Sequence, residues 1–228
     1  MNNRRPLGLI LVLVPLFLFS VSVAANAQQQ KTDQAAPPSP DTRFFRKEVS
    51  NMPRIAYKPH DNAGPEEIVA PLRARRGGTL LNLDRMLLHS PAYALGWNGF
   101  LGVVRTDLSL SPKLRELAVC GVAVLNGAEY GLHHHTPEFV RAGGTEAQVR
   151  ALRGFEAAAH NPAVFNATER AVMQLTVEMT RNVQVSDAAF AAVKAALPDE
   201  QQVVELVGVI ATYNMVTRFL VALGVEPE

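Results

Sequence analysis

The sequence predicts an all-α protein, and three observations carry that expectation. Strict alternation of apolar and polar residues, the mark of a half-buried strand, is almost missing beyond residue 42. Apolar residues recur instead at the three- and four-residue spacing of amphipathic helices. Gly-Gly pairs and prolines cut these patterns into segments at short intervals, as turns between helices do.

The first 27 residues stand apart from that pattern. Arg4 and Arg5 precede an apolar run from Leu7 to Phe19, and Ala25-Asn26-Ala27 follows. A basic head, a short apolar stretch and an A-x-A site predict a secretory signal peptide, cleaved between Ala27 and Gln28. The run is short and broken by Pro15, which argues against a permanent membrane span. The mature protein is therefore expected to be exported to a bacterial periplasm. Residues 28–42, "QQQKTDQAAPPSPDT", are polar and Pro-rich and predict a flexible leader. Residues 43–228 are then one helical domain.

Within that domain, Pro65 to Arg75 opens with proline and acids, as helices do. In "GGTLLNLDRMLLHS", Asn82 is the expected cap of a short helix, and Pro91 opens another that runs to about Val104. Ser111 and Pro112 supply the cap and first-turn proline of a helix that Asn126-Gly127 ends. The next runs from about Ala128 to Ala142 and stops at Gly143-Gly144, and Thr145 with Gln148 forms a capping box for its successor. Further helices are expected from about Ala167 to Arg181, Asp187 to Ala196, and Pro198 to Leu223, the last ending at Gly224.

Two of these are unusual. Leu117 to Leu125 carries no charge on any side, which predicts burial on all faces. The last helix is nearly as apolar, yet keeps Tyr213, Asn214 and Arg218. A domain of this size rarely encloses two such helices, so protomers are expected to pack into a homo-oligomer.

Charge narrows the partners. Removing the signal takes away two arginines and no acid, leaving 20 basic and 21 acidic residues. That balance points to neither a nucleic acid nor a membrane surface as partner. The only cysteine, Cys120, sits in "LAVCGVAVL" and is expected to be a buried, inert thiol.

Three adjacent histidines in "LNGAEYGLHHHTPEF" raise the question of a metal. Consecutive helical residues turn about 100° from one to the next, so His133, His134 and His135 cannot converge on one ion. There is no H-E-x-x-H, and no metal or other cofactor is expected. His135 falls on an apolar stripe with Leu132, Phe139 and Val140, while His134 shares a more polar side with Tyr130, Pro137, Glu138 and Arg141. A buried imidazole needs a partner. Glu116 lies about as far before the Asn-Gly turn as His135 lies after it. A carboxylate beside an imidazole in a desolvated pocket raises the histidine's pKa and poises it for proton transfer near neutral pH. The competing readings are a purely structural hydrogen bond for His135 and an ion pair of Glu116 with Arg115 or Arg141.

"LRELAVCGVAVLNGAEY", "HHHTPEFVRAGGTEAQVRAL" and "VVELVGVIATYNMVTRFLVALGV", preceded by "RARRGGTLLNLDRMLLHSPAYALGWNGF", resemble the carboxymuconolactone decarboxylase family, part of the alkylhydroperoxidase D-like superfamily. The likeness spans about residues 65–226. It implies an alkylhydroperoxidase D-like helical bundle with a central antiparallel helix hairpin, assembled as a homotrimer or homohexamer. In the thiol-peroxidase branch a Glu, a C-x-x-C pair and a His form a relay; the matching positions here are Glu116, Ala128, Gly131 and His135. Both thiols are missing, which argues against peroxiredoxin-type chemistry, as does the place of Cys120 outside the motif. The decarboxylase-like branch often reads E-Y-E-W where this chain reads "EYGL"; Gly131 and Leu132 are expected to enlarge the pocket there and remove a negative charge.

The resemblance thus implies a cofactor-independent acid–base enzyme of lyase type, acting on a small carboxylated lactone or related organic acid. His135, tuned by Glu116, would be the proton donor. His134, His133 and Tyr130 would line the pocket, and Arg85, Trp97, Asn214 and Arg218 would hold substrate. The alternative is a non-catalytic protein on the same fold that binds a small acid or serves in an assembly.

Overall fold

The computed structural model describes residues 52–228, so the signal and leader expectations lie outside the described residues. The first helices are α1 (Glu66–Arg75), α2 (Asn82–Leu87), α3 (Pro91–Thr106), α4 (Pro112–Leu125) and α5 (Glu129–Arg141). They are followed by α6 (Glu146–Leu152), α7 (Phe155–Ala158), α8 (Ala167–Arg181), α9 (Asp187–Ala196) and α10 (Glu200–Leu223). Among the described residues there is no strand.

Helix α4 is the axis of the arrangement, packed against α5, α8 and α10. Its Ala118, Val119 and Val122 enter one core with residues of α1, α2, α3, α8 and α10. Its Leu117, Cys120, Ala123 and Leu125 enter a second core with Leu132 and Phe139 of α5, Phe155 of α7, and Met173 of α8. The Leu117–Leu125 segment, which feeds two cores, has no face left for a charge, which explains its sequence. The chain itself encloses α4, so that helix requires no second protomer.

Helix α10 differs. It is long and apolar enough to cross a membrane by composition, yet half of that stretch is buried within the protein, as in a core helix. Val204, Met215 and Val221 remain exposed on it, as do Tyr93, Leu95, Phe100 and Val103 on α3.

Side-chain caps open four of the ten described helices, α6, α8, α9 and α10, whereas Ser111 stands at the cap position of α4 without making a cap bond. Thr145 Oγ1 accepts from the Gln148 amide at 3.2 Å, and Gln148 Oε1 accepts from the Thr145 amide at 3.1 Å, the expected reciprocal pair. Gly224 ends α10 in the left-handed conformation at φ 64°. Several expectations need correction. Asn82 is not a cap: Leu81 holds that position, and the Asp84 carboxylate accepts from its amide at 3.1 Å. The last helix starts at Glu200, because Asp199 caps it by accepting from the Gln202 amide. Val140 leaves the expected stripe and is half exposed.

Candidate functional site

The α4–α5 hairpin is set by its turn. Gly127 takes φ 66°, which a side chain would resist, and the Ala128 amide donates back to the Ala123 carbonyl at 2.8 Å. Asn126 Nδ2 donates to Asn214 Oδ1 at 3.1 Å and to Thr217 Oγ1 at 2.8 Å, which pins the turn to α10. Beyond the turn, Gly131 lets α5 lie close on α4, since a Cβ there would stand 3.2 Å from that of Ala123.

Running antiparallel from this turn, the two helices bring Glu116 and His135 into contact. His135 Nδ1 donates to Glu116 Oε2 at 2.7 Å. The other carboxylate oxygen accepts from Arg115 Nε at 3.2 Å, so the Arg115 ion pair and the His135 bond coexist. Glu116 is only 5% exposed. Burial pushes its pKa up, but the hydrogen bond and charge of His135, then those of Arg115, outweigh it and hold the carboxyl below its ordinary 4.5. An ionised carboxylate can only accept, so the His135 proton sits on Nδ1. Nε2 is left with no hydrogen-bond partner among the described residues.

Beside His135 lies a cavity of about 20 Å³, lined among others by Leu83, Arg105, Tyr130, Gly131, Tyr213 and Leu220. That is room for one water molecule. The Tyr213 ring meets His135 edge-on, with centroids 5.0 Å apart and planes at 90°. Arg105 Nε donates to Tyr213 Oη at 3.2 Å. Burial raises the Tyr213 phenol's pKa while Arg105 pulls it the other way. On the far side of Tyr130 and Leu220 opens a groove of about 670 Å³, bounded by Gly127–Tyr130 and by residues of 220–227. Tyr130 and Leu220 face both spaces.

Of the three histidines, only His135 lines the cavity. The His134 ring packs on Tyr130 with centroids 4.3 Å apart, and its Nε2 stands 2.8 Å from Glu228 Oε2 without the alignment of a ring N–H bond. Burial holds the His134 pKa below its ordinary value despite Glu228. His133 is exposed and edge-on to His134. Tyr130 is buried, and its hydroxyl has no hydrogen-bond partner among the described residues.

The four residues expected to hold substrate are used elsewhere. Arg85 donates to the Lys58 carbonyl at 2.6 Å and to Asn82 Oδ1 at 3.0 Å, and lies over the Tyr57 ring. Trp97 belongs to the first core, packed against Tyr93 and Phe219. Asn214 donates to Thr180 Oγ1 and to the Ile210 carbonyl, while Arg218 donates back to Asn214. None of them lines the cavity. The expected enlargement at Gly131 and Leu132 does not occur: close approach of α4 uses the space at Gly131, and Leu132 turns into the second core.

Arg105 and Tyr213 are the wall residues that sequence reasoning missed as site residues. An arginine in a helix's last turn reads as an ordinary end charge. Tyr213 left a usable signal, because Tyr213, Val216, Thr217 and Leu220 follow helical spacing and together form one wall of the cavity. Cys120 is fully buried, and burial followed by the Glu116 charge pushes its thiol up to about 12. Among the described residues no group of three or more His, Cys, Asp or Glu side chains converges as metal ligands would.

Residues 91–178 match the Carboxymuconolactone decarboxylase family. No curated protein matches the chain. Among solved structures, the alkylhydroperoxidase AhpD core of an uncharacterized peroxidase-related protein from Ralstonia eutropha JMP134 superposes with TM-score 0.66 at 17% identity, covering 77% of this chain and 92% of that one. An uncharacterized peroxidase-related protein from Silicibacter sp. TM1040 gives 0.64 at 16% identity, over 80% and 93% of the two chains. A cysteine-to-alanine form of the debrominase Bmp8, in complex with 2,3,4-tribromopyrrole, gives 0.65 at 17% identity, over 78% and 93%. At such identities these are likenesses of fold.

Proposed function

We propose that the chain is a cofactor-independent acid–base enzyme of lyase type, since residues 91–178 match the carboxymuconolactone decarboxylase family and the chain has the all-helical fold of alkylhydroperoxidase D-like proteins. Its substrate in this reading is a small carboxylated lactone or related organic acid. The observation that carries the proposal is the 2.7 Å Glu116–His135 bond, which commits Nδ1 and leaves Nε2 for a substrate at the cavity.

The chemistry follows from that arrangement. In a conjugated lactone acid the C–CO₂⁻ bond breaks, carbon dioxide leaves, and the electron pair moves into the ring carbonyl as a dienolate. His135 in its imidazolium form delivers a proton from Nε2 to the carbanionic carbon. Glu116 stabilises that imidazolium and fixes the ring's orientation, as a carboxylate does behind other catalytic histidines. The aromatic and apolar wall keeps competing water few.

Loss of a general acid–base group typically costs about 10²–10⁴-fold in rate. His135→Ala is expected to lose turnover of unsaturated lactone acids on that scale, and Glu116→Gln to lose part of it while the fold persists. Undiminished turnover in His135→Ala contradicts the assignment. The second reading, a small-acid-binding protein without chemistry, rests on the departures at Ala128, Gly131 and Leu132 from the residues the related enzymes carry there; a protein that binds such acids and never consumes them supports it instead. Thiol peroxidase chemistry draws no support from a buried Cys120 whose thiolate is inaccessible at neutral pH. Export to the periplasm, on the strength of residues 1–27, is part of the same proposal.

A further inference from the structure

We propose that Arg105 is the anchor for a ligand carboxylate, which enters from the 670 Å³ groove past Tyr130 and Leu220 with its apolar body held in the groove. The inference rests on the acid–base reading for where the ligand's reacting end lies, and it names the binding site that reading leaves open.

The guanidinium is placed for that task. Its Nε is committed to Tyr213, and among the described residues Nη1 and Nη2 have no acceptor. Two free N–H edges on a planar fork match the two oxygens of a carboxylate. The acids nearby are already engaged. Glu116 is held by His135 and Arg115, and Asp84 by Arg75, Arg76 and the Leu81 amide. Among the described residues, the carboxylates paired with Arg75, Arg76 and Arg115 and acting on Arg105 are Asp84 and Glu116, so guanidiniums outnumber carboxylates there. The like charges are close enough to act on one another: burial, then Arg76 and Arg105, hold the Arg75 pKa below its ordinary value. A singly charged anion on Arg105 relieves part of that excess.

The path is marked by the partition. Tyr130 is 5% exposed, lines both spaces, and carries a buried hydroxyl with no partner among the described residues. A buried hydroxyl without a hydrogen bond is unfavourable, and a ligand oxygen beside it removes that penalty. The groove's volume lies within the range of small-molecule sites, and Leu220, Val221, Val225 and Pro227 give it an apolar wall. The inner cavity is too small for a carboxylate as it stands, so displacement of the Tyr130 and Leu220 side chains is what joins the two spaces. The ligand class is accordingly a monocarboxylate with a small apolar or ring body.

Calorimetric titration with furan-2-carboxylate and its neutral isostere furan-2-carboxamide tests this. The full-length protein is expected to bind the acid at least about tenfold more tightly than the amide, roughly what one charge-assisted hydrogen-bond pair contributes. Arg105→Met and Arg105→Gln, two variants chosen so that a folding defect in one leaves the other, should both erase the preference. Equal binding of acid and amide by the unaltered protein overturns the anchor, as does a preference that survives in a folded Arg105 variant. Failure of the catalytic reading looks different: turnover is missing while the acid preference and its dependence on Arg105 remain.

Discussion

At the scale of single residues, Glu116 is held by His135 and Arg115 at once, and both keep it ionised against the cost of burial. The sign of the pH effect follows. A carboxyl whose folded pKa lies below its ordinary 4.5 contributes stability above that value and loses it as pH falls through the folded pKa. Thermal melting followed from about pH 6 to about pH 3 is expected to fall more steeply below pH 4.5 in the unaltered protein than in Glu116→Gln, which lacks the titrating group. Other depressed acids such as Glu169 contribute to both curves and cancel in the comparison. Parallel curves contradict the assignment. The Glu116–His135 contact was legible in sequence because a tight turn fixes the register of an antiparallel helix pair. The Arg105–Tyr213 wall was not, because those residues come from α3 and α10, and no local spacing sets the distance between elements 108 positions apart.

At the scale of elements, α4 is as tightly constrained by small residues as by large ones. A Cβ at Gly121 would collide with the Cζ end of the fully buried Phe155 ring. Gly121→Ala gains about 1 kcal/mol of helix propensity but meets that ring, and overpacking of a core costs about 1–3 kcal/mol. A net loss of stability is expected in urea denaturation, and a stabilised variant contradicts the packing described here. Phe155 belongs to α7, a single turn of four residues that the sequence did not announce. Helical periodicity needs more than one turn to be seen, whereas the caps Thr145, Asn166 and Ser186 each accept a backbone amide that their side chain satisfies locally. The helices that carry such local signals were therefore readable, and those defined only by tertiary packing were not.

At the scale of the whole molecule, apolar side chains on the outside of α3 and α10 bear on assembly. Leu95 and Phe100 are 60% and 52% exposed, and Val204 is 70% exposed. We propose that these helices meet a second copy of the chain, giving the homotrimer or homohexamer that the sequence resemblance implies. Light scattering is expected to report one of those masses, and the paired change Leu95→Glu with Phe100→Glu to lower it. A monomer in the unaltered protein contradicts the proposal. The burial of α4 is neutral on this point, since its two cores are closed within one chain.

The central claim is that Glu116 holds the proton of His135 on Nδ1 and leaves Nε2 free on a ring that lines the cavity. Nitrogen-15 NMR of histidine-labelled protein near neutral pH measures that directly. The account predicts a His135 ring protonated at Nδ1, with a shift that changes in Glu116→Gln. A neutral ring bare at Nδ1 and protonated at Nε2, or a spectrum indifferent to Glu116→Gln, would contradict it.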